Sequence, residues 1–349
     1  MLRAQLRRIT LPRPSCIFGA GPPKRRYVSK LDIPLKLLPP VPVLRPTLWA
    51  LTATATIFLG CATYDVYQDV KAAKRKGFFR NGSVPSYEDL ENAKTYNNPL
   101  RSPFRSSSSS SSHPLSRWFP IGQLSEILSG FNGAQKVMLG FSALNIGLVG
   151  ANYVAPAAFL QHFGHVPCLN RNYTLLTSMF GHSGTWHVAM NTFVLVQFAT
   201  DVAESRVFKG NGSHFAAFYL SAGILSSLGS QFATMLPTRT YKYNRFVPNL
   251  GASGVISALL ASWVTLDPNG KISFLFLPGS FPADSFLMAI VIIETLGLFF
   301  GTPLFNFGHG AHLSGYAIGA AYVHYDGRKR LWLPARKVAF RTMKTLKMV

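Results

Sequence analysis

Apolar runs of about twenty residues alternate along the chain with polar breaks, and they are too long and too uninterrupted to be the half-buried faces of a soluble fold. The first covers residues 47–64 (TLWALTATATIFLGCATY). After a long polar interval six more follow, at about 137–160, 186–202, 215–236, 251–266, 285–300 and 308–325. Most are long enough to cross about 30 Å of hydrocarbon at about 1.5 Å rise per residue. The pattern predicts an all-α polytopic membrane protein, one early helix followed by a six-helix core. The run at 251–266 is the exception. As a helix it covers only about 24 Å, so its first residues are expected below the membrane surface, where broken backbone is tolerated only against protein or a water-filled cavity.

The intervals complete the organisation. The first thirty-one residues carry eight Lys or Arg, no acid and no apolar h-region, the make-up of a mitochondrial transit peptide, expected over 1–29. A short segment, 30–46, leads into the first transmembrane helix at 47–64. Residues 65–132 read as a polar, Ser-rich linker with a basic run at 71–80 and seven consecutive serines at 106–112. The six-helix core is expected over 133–325 and a basic tail over 326–349.

Composition agrees with the membrane class, since only 14% of the 349 residues are charged. The formal charge of +22 resides mostly before residue 120 and after residue 325, flanking the apolar middle, which speaks against a nucleic-acid surface. Cys16, Cys61 and Cys168 stand too far apart for a disulfide framework. Neither CxxC nor HExxH occurs, so the commonest zinc and thiol-redox readings fall away and no metal or cofactor is expected.

Polar residues inside the spans carry the candidate chemistry. The short fourth core span begins Gly251-Ala252-Ser253-Gly254, with a serine at a helix N-terminus. Gly254 and Ala258 also form a small-xxx-small face of the kind that lets membrane helices approach, so packing is the plain alternative. A nucleophilic serine needs a base within hydrogen-bond reach and donors for the oxyanion it creates. His187 and Asn191, at i and i+4 in HVAMN, share one helix face, and His309 and His312 lie in GHGAHLSG. Gly315 and Gly319 follow His312 in a GxxxG pattern suited to a small-residue partner such as the Gly254/Ala258 face. Core spans two, four and six start from one side of the membrane, which brings His187, Ser253 and His312 to similar depth. His182 is a further polar group ahead of this set, placed to line a water path. Glu294 is an acid deep in the fifth core span and is read as structural, outside the catalytic set.

Gly251 to Gly254, His187 to Asn191, and Ala311 to Gly315 with Gly319, in this order on spans two, four and six, resemble the rhomboid intramembrane serine proteases over about 136–325. With the one-plus-six arrangement and the transit-like start, the likeness is to the mitochondrial inner-membrane branch. The resemblance implies Ser253 as nucleophile and His312 as general base in a dyad without an acid, with His187 and Asn191 donating to the oxyanion. Gly251, Gly254, Gly315 and Gly319 are then the helix-packing positions at the site. It implies single-pass membrane proteins as substrates, among them the mitochondrial dynamin-like fusion GTPase, cytochrome c peroxidase in fungi, or a mitophagy-signalling kinase in animals. Two departures from bacterial members stand out. Ser257 occupies the position where they carry a tyrosine stacked on the base, and the loop between core spans one and two, with 167–173 as its analogue, lacks their Trp-Arg pair. An inactive relative that binds membrane clients is the competing class. A transporter is disfavoured by the lack of paired ionisable residues and inverted repeats. Seven spans put the two termini on opposite sides of the membrane, whereas the basic tail favours the matrix side by charge.

Overall fold

The computed structural model describes residues 38–77, 85–96, 128–169, 171–238, 241–274, 277–301 and 308–349. The transit-like segment and the serine tract lie outside the described residues. In chain order the elements are α1 (Leu44–Arg75), α2 (Tyr87–Tyr96), α3 (Gly133–Val154), α4 (Pro156–Phe163), α5 (Thr185–Glu204), α6 (Gly212–Ala233), α7 (Ser253–Leu266), the antiparallel hairpin β1 (Lys271–Phe274) and β2 (Leu277–Pro282), α8 (Ala283–Phe300), α9 (His309–His324) and α10 (Leu333–Thr345). Among these, α1, α3 and α8 are long and apolar enough to cross a membrane by length and composition alone. The helices α5, α6, α7 and α9 carry buried polar side chains within the bundle, among them Asn191, Gln231, Ser262 and His312.

Local chemistry sets the helix limits. Asn132 and Gln135 form a reciprocal capping box at the start of α3, each side chain accepting the other's backbone N–H at 2.9 Å. The first core run, expected to continue to residue 160, instead breaks at Ala155, because the residue before Pro156 is driven out of the helical region; the proline then opens α4. The early helix is longer than its apolar run. It continues through residues read as linker, since Val66, Val70 and Ala73 repeat at helical spacing and are buried against Trp332, Phe340 and Met343. Part of the same interval forms α2. At 32 residues α1 is about 48 Å long, so its last turns stand clear of about 30 Å of hydrocarbon.

Helix α7 is the centre of the bundle. Ten of its fourteen residues are buried, so it meets α5, α6, α8 and α9 rather than lipid. Helix α8 is its opposite, with only Ala283 and Gly297 buried. The helix α6 packs on α1, α3, α7 and α9. At one end of the bundle the chain preceding α1 is tied to the loops: Gln231 Nε2 donates to the Pro42 carbonyl at 2.5 Å and Arg245 to that of Pro39 at 3.2 Å. At the other end Asn211, which caps α6, donates to Asp65 of α1 at 2.8 Å.

The C-terminal helix α10 docks at that same end. Arg336 is 2% exposed and pairs with Asp65, with Asp69 at 2.8 Å and with Glu91 at 2.8 Å, while its Nε donates to the Tyr87 hydroxyl at 3.2 Å. Burial draws the guanidinium down to about 10, still charged at neutral pH. One cation therefore joins α1, α2 and α10. Removing one partner of such a buried set strands the others, at about 3–5 kcal/mol. Arg336→Met is expected to lower thermal stability in detergent accordingly and to open α10 to trypsin; an unchanged melting profile with α10 still protected would count against this role.

Candidate active site

The site forms where α5, α7 and α9 begin at one end of the bundle. Ser253 is the first residue of α7. The preceding Gly251 has φ +130°, a left-handed conformation that side chains rarely adopt, and its N–H donates to the Ser178 carbonyl at 2.9 Å. This turn delivers Ser253 to the helix end. No side chain caps α7, so the N–H groups of its first turn, those of Ser253 and Gly254 included, lack an intrahelical acceptor and face the site with the positive end of the helix dipole.

His312 lies one turn into α9. Its Nε2 is 2.8 Å from Ser253 Oγ, within hydrogen-bond reach. Backbone contact makes this possible. A Cβ on Gly315 would overlap the Gly254 carbonyl, one on Gly319 would overlap the Ala258 carbonyl, and Ser262 Oγ donates to the Gly319 carbonyl at 3.2 Å. The glycines of α9 thus lie directly on the Gly254/Ala258 face of α7. On the far side of α7, a Cβ at Gly254 would crowd Ser226 of α6.

From α5, His187 Nδ1 accepts the Ser183 hydroxyl at 3.1 Å and the Ser183 N–H at 3.4 Å, which leaves the proton on Nε2. That Nε2 edge abuts Gly251: a Cβ there would lie 3.0 Å from His187 Nε2 and 3.9 Å from Ser253 Oγ. Asn191, one turn on, is 8% exposed and donates one amide hydrogen to the His187 carbonyl at 2.8 Å, keeping the other. Helices α5 and α9 both pack on α7, and at this end His187 and Ser253 lie against Gly251 while His312 meets Ser253 from the other side.

Three expectations need correction or completion. His182 does not line a water path; it is fully buried, with Nδ1 donating to the Phe180 carbonyl at 3.3 Å and Nε2 accepting the Ala252 N–H at 3.5 Å, so it supports the loop from behind. Glu294, read as lying apart, reaches the site: its Oε1 is 2.9 Å from His312 Nδ1 and its Oε2 is 2.5 Å from His309 Nδ1. Its motif-free surroundings hid it, although an acid at that depth in an apolar span was itself a signal. Tyr316, which no motif singled out, lies one turn after His312, and its hydroxyl engages Ser257. Among the described residues no three His, Cys, Asp or Glu side chains are grouped as a metal site.

A serine thus stands against an imidazole at an uncapped helix end inside a helical bundle. Residues 169–329 match the family model of the Rhomboid domain. The chain is 35% identical over 159 residues to the presenilin-associated rhomboid-like protein, mitochondrial, of Rattus norvegicus, covering 45% of this chain and 39% of that protein. It is 31% identical over 217 residues to presenilin-associated rhomboid-like protein A, mitochondrial, of Danio rerio (61% and 53%), and 29% identical over 154 residues to Rhomboid protein 1, mitochondrial, of Saccharomyces cerevisiae (44% and 41%). The matched region thus spans about two fifths to one half of these relatives. Residues 169–329 thus carry a Rhomboid domain, the likeness is to mitochondrial rhomboid proteins, and the all-α fold is that of a multi-pass membrane protein.

The α7–α9 contact makes a direct prediction. Gly319→Leu must part the two helices and is expected to lower the melting temperature sharply, whereas Gly147→Leu on α3, where a Cβ meets nothing within 4 Å, leaves it unchanged or slightly raised. Equal melting of the two variants would show that the backbone contact is not required.

Proposed function

We propose that the protein is an intramembrane serine endopeptidase of the mitochondrial inner membrane that cleaves single-pass membrane proteins in or beside their transmembrane segments. The 2.8 Å contact between Ser253 Oγ and His312 Nε2 carries this reading. Ser253 Oγ attacks the peptide carbonyl carbon as its proton passes to His312 Nε2. The tetrahedral oxyanion is held by the N–H of Ser253, by His187 Nε2–H and by the free amide hydrogen of Asn191. The intermediate collapses as His312 returns the proton to the departing amine, leaving an acyl-enzyme at Ser253. Water, deprotonated by the same imidazole, then releases the acid product. The cycle uses no metal or cofactor. Substrates of the kind the family resemblance implies, a membrane-anchored dynamin-like GTPase or cytochrome c peroxidase, present a single helix whose end must unwind to reach the serine.

Ser253→Ala is expected to abolish both cleavage of a transmembrane substrate and labelling by a fluorophosphonate while the fold is kept. A chain that only binds membrane clients would leave wild-type Ser253 unlabelled, and cleavage retained in the alanine variant would exclude the serine mechanism.

The oxyanion assignment predicts a graded loss. His187→Ala and Asn191→Ala are each expected to lower kcat on the order of 10²- to 10³-fold, with KM little changed. Wild-type turnover in both would remove the two side chains from the site.

A further inference from the structure

Glu294 lies on α8, a helix of which only Ala283 and Gly297 are buried, at a depth where an ionisable group is costly to keep. It is not left to lipid. Its side chain is 14% exposed, and each of its oxygens faces a different imidazole of α9, His312 Nδ1 at 2.9 Å and His309 Nδ1 at 2.5 Å. Gly297, one turn further along α8 on the same face, makes room for this: a Cβ there would overlap the His309 ring. The small residue admits His309, His309 fixes one oxygen of the carboxylate, and the other oxygen meets His312 on the edge opposite Ser253.

Hydrogen-bond bookkeeping then determines the proton positions. An ionised carboxylate only accepts, so both Nδ1 atoms donate. A neutral His312 with its proton on Nδ1 has a bare Nε2, the form that accepts from Ser253 Oγ–H. The opposite tautomer would donate Nε2–H to the serine oxygen, set a bare Nδ1 against the carboxylate, and leave the serine unactivated.

Resting on the protease reading, we infer that Glu294 is a positioning residue that works through His312: it holds the imidazole in the Nδ1–H tautomer and stabilises the imidazolium formed when Ser253 gives up its proton, with His309 anchoring the carboxylate. The site then functions as a serine–histidine–glutamate triad in which the acid stays ionised. No bond to substrate is made or broken at Glu294, and its charge is unchanged through the cycle. Among the described residues, Glu294 of α8 meets His312 at Nδ1, Ser253 of α7 at Nε2 and His187 of α5 lies near, while on its own helix His309 shares the Glu294 carboxylate and Tyr316 engages Ser257 one turn on. Glu294 is the acid among them.

The test is kinetic, on the full chain in detergent or liposomes, with Ser253→Ala alongside. Where the equivalent acid of a soluble serine protease is replaced by its amide, kcat falls by about 10⁴. Glu294→Gln is expected to lose on the order of 10²- to 10⁴-fold in kcat with KM within a few-fold of wild type, and to move the acid limb of the kcat/KM profile to lower pH. Glu294→Asp, which keeps the charge, is expected to hold the limb at its wild-type position and to recover at least about tenfold over the amide. A Glu294→Gln enzyme with wild-type kcat, or one slowed with its acid limb unmoved, would overturn the proposal while an inactive Ser253→Ala left the protease reading standing. Turnover by Ser253→Ala would remove both together. The tautomer is read on wild type, independently of how any variant folds: with 15N-labelled histidine, His312 is expected to carry its proton on Nδ1, and a resting Nε2–H form would overturn the assignment.

Discussion

The structure depends on how closely two backbones approach. Helix α9 rests on α7 through Gly315 and Gly319, at carbonyls that no side chain larger than hydrogen could reach past. In lipid, helices gain little from burying apolar surface, and association relies on packing and on hydrogen bonds such as that from Ser262 to the Gly319 carbonyl. The same approach sets the separation of Ser253 from His312, so one constraint governs both fold and geometry of the site. The remaining helices serve it. Ser226 on α6 backs Gly254, and α5 brings His187 against Gly251, whose left-handed backbone leaves space for the ring.

Much of this is legible in the sequence. Hydropathy placed the spans because each follows from length and apolarity, and span parity put the starts of α5, α7 and α9 at one end. The i, i+4 relation of His187 and Asn191 and the glycine repeat after His312 are local patterns, readable from sequence. What escaped was long-range. The continuation of α1 through Arg75 depends on Val66, Val70 and Ala73 meeting Trp332, Phe340 and Met343, hundreds of residues away. The break at Ala155 was written in Pro156, but continuous hydrophobicity masked it. Glu294 stands fifteen residues before His309, and the helical rotation that turns it toward α9 rather than lipid cannot be read from the sequence of α8 alone.

Polarity is distributed unevenly in the bundle. At the site end His165 bridges Thr174 and Gln231 at 2.8 and 3.0 Å, and Gln231 reaches on to Pro42, so hydrogen bonds join the loops flanking the serine. At the other end the fastening is ionic, through Arg336 and its acids.

The ionic end has a geographical consequence. Because Arg336 clamps α10 to the far turns of α1, and the chain before α1 is tied to loops beside Ser253, Ser253 and α10 lie at opposite ends of the bundle. Across a bilayer α10 and Ser253 therefore open to different aqueous compartments, so a reagent confined to one side meets only one of them.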